Sequence, residues 1–262
     1  MLEVISKLFS KIDECKEEIS GIGISCTGKI DDKNGVIIGG VNIMRNWVNS
    51  SIKKIFTDKY NMPVYINNDV KCVALSEMWN GIGKEENNYV CLTIGTGIGG
   101  AIVDNGNLVC GENNFAGEIG HTILKFNGIN CKCGKKGCYE AYGSMTALVK
   151  EVERITDEAI NGEKIFHKVK NNEKVYVDIV NEWILNIGMG IANLVLLLNP
   201  RVIVIGGAVS VQKELFLDKL EVVVKSFLTD EHSKYLMIVS AKNFNDAGML
   251  GAVYGLKSSI GK

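Results

Sequence analysis

Three β-type runs, YVCLTI at 89–94, GGAIV at 99–103 and NLVC at 107–110, are separated only by GTGI and by Asp104, Asn105 and Gly106. Connectors this short leave no room for a helix, and an Asn-Gly pair between apolar runs signals a tight hairpin. The middle of the chain therefore folds as a meander. Around it, strand-period and helix-period segments alternate. Residues 2–19 put Ile5, Leu8, Phe9, Ile12, Cys15 and Ile19 on one helical face, and the strand GIGIS follows. Pro63 introduces VYIN, a strand ending at Asn67, Asn68 and Asp69. VKCVALSEMW then reads as a helix stopped by Gly81 and Gly83. Further on, residues 141–155 and 176–198 have helical spacing, with the polar stretch 161–174 expected between them as a surface excursion. RVIVIGG, a helix over 211–228, a strand in YLMIV and a last helix over 247–258 complete an alternating α/β pattern.

A chain of 262 residues, 46 % hydrophobic and with two prolines, is a folded one. Its length predicts about two domains, and the polar KEENN at 84–88 is the candidate boundary. The 29 basic and 30 acidic residues leave a net charge of −1 with no cationic stripe, so neither nucleic acid nor an anionic membrane is an expected partner. The apolar run 184–198 is shorter than the roughly 20 residues a bilayer requires and is interrupted by Asn186, Gly188 and Asn193, so it reads as a buried helix. The first residues lack a basic start, an apolar block and a small-residue cleavage site, which predicts a cytoplasmic protein.

The eight cysteines fall into two groups. Cys15, Cys26, Cys72, Cys91 and Cys110 stand singly in apolar surroundings, as small buried hydrophobes do. Cys131, Cys133 and Cys138 instead crowd a Lys- and Gly-rich stretch ten residues after His121. One imidazole and three thiolates complete a tetrahedral zinc set, and Gly134 and Gly137 allow the turns that such a knuckle requires. A closed ligand set predicts a structural zinc and not a catalytic one.

Other chemistry is suggested more locally. In LTIGTGIGG, the residues Gly95, Thr96, Gly97, Gly99 and Gly100 could turn backbone N–H groups towards a phosphate, or simply turn a hairpin. Asp69 lies at the carboxyl end of a strand, where open α/β sheets bind ligands, and its carboxylate could take the proton of an attacking hydroxyl or cap the next helix. Glu118 and Glu140 could grip sugar hydroxyls or be solvated. Gly206 and Gly207 could admit a purine or end a strand.

The combination is more specific than its parts. AGEIGH at 116–121 followed by CKCGKKGCYE at 131–140 resembles the signature of the ROK family of bacterial sugar kinases and sugar-responsive repressors. NND at 67–69, LTIGTGIGG, VIVIGG and AGMLGAVYGL are similar to other family segments, in family order, from about Gly21 to the end. The resemblance implies a two-lobed, actin-like (ribonuclease H-like) α/β sugar kinase fold. Its lobes would be 1–87, joined by the helix 247–262, and 88–246, with a zinc loop over 121–138. It also implies that Asp69 is the general base for a sugar hydroxyl, usually on C6, attacking ATP with Mg²⁺. Asn68, Glu118, His121 and Glu140 would hold the sugar, with Asn42 a looser match. Thr96 with Gly95, Gly97 and Gly99 would face the phosphates, and Gly206 and Gly207 the adenosine. His121 would serve both zinc and sugar, and the protein would be a homodimer.

One feature of the resemblance departs from this chain. Family members open with a β-hairpin carrying an Asp-x-Gly-Gly-Thr-like phosphate loop, which is not found here, so the fold expected is N-terminally truncated and GIGIS is left with an unpaired edge. GGVNIMRNW, EMWNG and GEKIF are similar to β-glucoside kinases, leaving glucose, a β-glucoside and N-acetylmannosamine as substrates. The alternative reading is a non-catalytic sugar sensor or a fragment of a ROK-type transcriptional regulator. No helix-turn-helix fits in the 20 residues before Gly21.

Overall fold

A computed structural model describes residues 19–40 and 45–261, together with Lys7 and Ser10. The helix expected over 2–19 lies almost wholly outside the described residues, and so does Asn42. The strands are β1 (Ile22–Cys26), β2 (Lys29–Asp31), β3 (Val36–Gly39), β4 (Val64–Asn68), β5 (Tyr89–Ile94), β6 (Ile98–Asp104), β7 (Asn107–Leu108), β8 (Val202–Gly206) and β9 (Met237–Ser240). The helices are α1 (Ile52–Tyr60), α2 (Asp69–Asn80), α3 (Glu140–Gly143), α4 (Met145–Thr156), α5 (Gly162–Lys170), α6 (Lys174–Leu198), α7 (Asp218–Ser226), α8 (Asp230–Ser233) and α9 (Ala247–Ile260).

The meander forms as expected. Asn105 and Gly106 both take positive φ in the β6–β7 turn, and β5 to β7 pair antiparallel in the five-stranded order β7-β6-β5-β8-β9. β8 inserts parallel to both β5 and β9, and all five of its residues are buried. That is why VIVIG is apolar without alternation: helices cover both faces. The main core lies on one face of this sheet, where Trp183 of α6 stands between Phe166 and Phe216 and donates its ring N–H to the Ser144 carbonyl at 3.0 Å. α6 has 25 residues, longer than the apolar run that predicts it. It is long and apolar enough to cross a bilayer, yet 67 % of its most apolar stretch is buried inside the protein.

The first unit is built differently. β1 and β4 pair in parallel, and among the described residues no strand covers the other edge of β1. Its face is covered instead by α9. Gly23 stands where a Cβ would lie 2.7 Å from the Ala252 backbone, and a Cβ at Gly251 would overlap the Cys72 carbonyl of α2. Trp79 of α2 stacks on Tyr254 of α9 at 5.9 Å between centroids.

Three helical expectations are corrected. The stretch 161–174 is not a surface excursion, because Ile165, Phe166 and Val169 on one face of α5 are buried in the core. The helix expected over 141–155 breaks at Ser144, whose hydroxyl accepts from the Ala147 N–H at 3.1 Å and starts a new helix. The helix over 211–228 begins as a π-turn, Lys213–Leu217, before α7. Sequence patterning does not reveal the β2–β3 hairpin or α1, both too short to show a period.

The α9–α2 contact has no slack. Gly251→Ala is expected to lower unfolding stability by roughly 2 kcal/mol despite alanine's better helix propensity, since backbone is what it meets. An unchanged urea midpoint would mean that α9 moves freely off α2.

Candidate active site

A cavity of 870 Å³ opens between the β1–β4 unit and the five-stranded sheet, lined by Thr27–Ile30, Asn68–Lys71, Thr93–Gly100, Asn114, Ala116–Glu118, His121 and Glu140 among others. A second cavity of 420 Å³ is lined by Ser25, Val73, Gly206, Ala241, Gly248 and Met249. Asp69, Val70, Thr93 and Gly207 line both, so one carboxylate faces two adjoining spaces.

Asp69 owes its place to the strand–helix junction before it. Asn68, not Asp69, is the N-cap of α2: its Oδ1 accepts from the Val70 N–H at 2.9 Å and the Lys71 N–H at 3.3 Å. Its Nδ2 donates to the Gly28 carbonyl at 3.0 Å. With the cap supplied by its neighbour, Asp69 keeps one short bond, from the Val70 N–H to Oδ1 at 2.9 Å, and takes a further hydrogen bond from the Thr27 hydroxyl. Burial pushes its carboxyl above the usual carboxylate range, and these hydrogen bonds offset part of the rise.

The glycine loop turns the β5–β6 hairpin. Gly95 donates its N–H to the Gly97 carbonyl at 3.0 Å and so closes the β5–β6 hairpin turn. Around it the cavity wall is backbone, and no neighbour lies within 4 Å of a Cβ at Gly95. The other glycines are small because of packing: a Cβ would strike Glu140 at Gly97, Val70 at Gly99 and Ile119 at Gly100. Gly207 takes φ +96°, and its Cβ position is filled by the Ile94 carbonyl.

Beyond Glu140 from this loop, His121, Cys131, Cys133 and Cys138 come together with all four donor atoms within 4.8 Å of one another. Cys131 Sγ lies 3.9 Å from His121 Nδ1, and Cys133 Sγ 3.5 Å from Cys138 Sγ. Zinc bonds of 2.0–2.3 Å in a tetrahedron need donors about 3.5–3.8 Å apart, so this set fits a zinc ion with little adjustment. Gly134 and Gly137 take the positive φ values that return the loop, and a side chain at Gly137 would overlap the Lys125 carbonyl. Burial pushes the Cys131 thiol up to about 12 and raises Cys138, whereas the Lys135 N–H lowers Cys133. His121 turns Nδ1 to the thiols and Nε2 to Glu118, whose Oε2 is 3.8 Å away. Glu140 is braced between the Cys131 thiol at 3.3 Å and the Ile98 N–H at 3.4 Å.

The ROK family profile matches residues 1–258. This chain belongs to the ROK family. Among ROK relatives it is 31 % identical to a glucokinase of Halalkalibacterium halodurans, covering 97 % of this chain and 81 % of the relative. It is 30 % identical to a xylose repressor of Caldicellulosiruptor bescii, covering 97 % and 66 %. The solved structure of a ROK family glucokinase from Streptomyces griseus, in complex with glucose and AMPPNP, superposes with a TM-score of 0.81 at 29 % identity over 90 % of this chain and 81 % of that one. The actin-like α/β fold is thus shared with sugar kinases of the family.

Of the residues expected at the site, all but Asn42 are described, and Asp69, Asn68, Glu118, His121, Glu140, the 95–99 loop and Gly207 line the larger cavity together. Gly206 lines only the smaller one. Thr27, Lys71 and Asn114 also line the larger cavity, and sequence patterning misses all three. Lys71 has no local signal beyond being a charge inside an apolar helix.

The cluster makes its own prediction. Supplied with zinc under anaerobic conditions, the protein is expected to bind about one ion, and Cys131→Ser or Cys138→Ser to bind much less. Mass spectrometry of the native protein reads this directly, and undiminished zinc in both variants would assign the metal elsewhere.

Proposed function

We propose that this ROK protein is an ATP-dependent sugar kinase that phosphorylates a hexose or hexose derivative on its C6 hydroxyl. The observation that carries the reading is Asp69, a carboxylate at a helix start with a raised pKa and a cavity on each side. In this reading the sugar occupies the larger cavity, held by Asn68, Glu118, His121 and Glu140. Asp69 accepts the C6 hydroxyl proton while that oxygen bonds to the γ-phosphorus of MgATP, and the bond to ADP breaks. The exposed backbone at Gly95–Gly97 with the Thr96 hydroxyl faces the phosphates, and Gly206 and Gly207 lie against the nucleoside. The glucose and AMPPNP of the Streptomyces griseus relative support both ligand classes.

Zinc is proposed for the His121 cluster, where it would supply only a structural cross-link. The chain's own residues do the rest: with Nδ1 turned to the thiols, His121 keeps Nε2 for a sugar hydroxyl. We further read residues 1–87 with 247–262, and 88–246, as the two lobes, and the protein as a cytoplasmic homodimer.

A second reading, a non-catalytic sugar sensor, is favoured by the xylose repressor relative. One substitution separates them. Asp69→Asn is expected to lower kcat by about a hundredfold to ten-thousandfold while leaving sugar Kd within a few-fold. ADP release would be measured with glucose, N-acetylmannosamine, fructose and cellobiose, and sugar Kd by calorimetry. Sugar binding without turnover in the wild type would favour the sensor, and full turnover in Asp69→Asn would remove the base.

The pH profile follows from the sign of the shift. A base must be deprotonated to act, so kcat/KM should fall as pH falls through the Asp69 pKa, which burial sets above the ordinary carboxylate value. A rate that stays flat down to pH 4 would contradict that assignment.

A further inference from the structure

Two residues after Asp69, Lys71 is only 3 % exposed, and a buried ammonium is costly unless its protons are used. Its Nζ donates to both oxygens of one residue, the Asn114 carbonyl at 2.7 Å and Asn114 Oδ1 at 2.8 Å. Asn114 is itself 9 % exposed, and its Nδ2 donates to the Ile30 carbonyl of β2 at 2.7 Å. The carboxylates of Asp32 and Glu118 act on the ammonium through space, without a contact ion pair, and burial lowers its pKa.

These bonds join three separate pieces of the cavity wall: the first turn of α2, β2, and the loop 110–118 that follows β7 and ends at Glu118. The loop's other tie to β2 is weaker: the Lys29 ammonium lies 5.5 Å from the centre of the Phe115 ring. The ends of the loop are tied by the Ala116 N–H to the Cys110 carbonyl at 3.0 Å, and Gly117, at φ +96°, is seated on the Gly100 carbonyl. Glu112 and Asn113 between them are exposed.

We propose that Lys71 is a positioning residue: through Asn114 it straps the loop 110–118 to the helix of Asp69 and thereby sets where Glu118 stands across the cavity. The link from Glu118 to sugar affinity rests on the proposed function, whereas the strap itself does not.

Two variants test it in the full chain. Lys71→Met keeps the aliphatic stem and removes the ammonium, and Asn114→Gly removes the amide without strain, because Asn114 already sits at φ +60°. In hydrogen–deuterium exchange without ligand, both are expected to speed exchange of amides 111–118 about tenfold or more, the loss of a charge-assisted bond, with α6 amides unchanged. With glucose as the probe, KM should rise about tenfold with kcat within about threefold, and the double variant should be no worse than the worse single one. Wild-type exchange over 111–118 in both variants overturns the proposal. Faster exchange there in a protein that binds no sugar would support the strap and count against the kinase reading alone. Turnover with unchanged exchange and KM in the variants would do the reverse.

Discussion

Helix α2 can present Asp69 to two cavities only because every other part of it is held. Along its back, Gly251 brings α9 so close that the Cys72 carbonyl occupies the space of a side chain. At its far end Glu77, 1 % exposed, accepts from two backbone N–H groups, Ile82 just beyond the helix at 3.1 Å and the sequence-distant Lys242 at 2.8 Å. Asn243 adds bonds to Ser76 Oγ at 2.8 Å and Asn80 Oδ1 at 2.9 Å. At its start Asn68 supplies the cap. A carboxylate that shares the helix-start N–H of Val70 with its neighbour and is partly withdrawn from water is a better proton acceptor than an ordinary surface Asp.

The two walls of the larger cavity are stiffened by different means. The β1–β4 side depends on close backbone packing and on charge-assisted hydrogen bonds from a buried ammonium to neutral acceptors. The other side includes the loop 121–138, in which three thiols and an imidazole converge. Backbone bonds such as those from the Leu124 and Cys131 N–H groups to the Gly137 and Lys135 carbonyls, both at 2.8 Å, fold the loop so that these four side chains meet. Glu140 touches a thiol of this cluster and His121 belongs to it, so two polar groups of the cavity are tied to the same cluster.

What could be read from the residue order is what short-range chemistry dictates. The meander was legible because its connectors are too short for anything else, and the convergence of His121 with three cysteines because all four lie within 18 positions. Helix α5 was not: three apolar residues in a polar stretch gain meaning only when a core is there to receive them. The glycines of LTIGTGIGG illustrate the same divide, since a pattern of small residues does not tell a phosphate loop from a packing constraint, and here Gly97, Gly99 and Gly100 are small because Glu140, Val70 and Ile119 are beside them.

By itself, then, the sequence determined the meander, the clustering of His121 with three cysteines and the family signature, all carried by spacings of a few residues. Only the tertiary structure decided that Asp69 faces two cavities, that Asn68 is the cap, and that Lys71 meets Asn114 from 43 positions away. Contacts at that separation leave no periodic trace, because each is set by how helices and sheets pack and not by the rise of either.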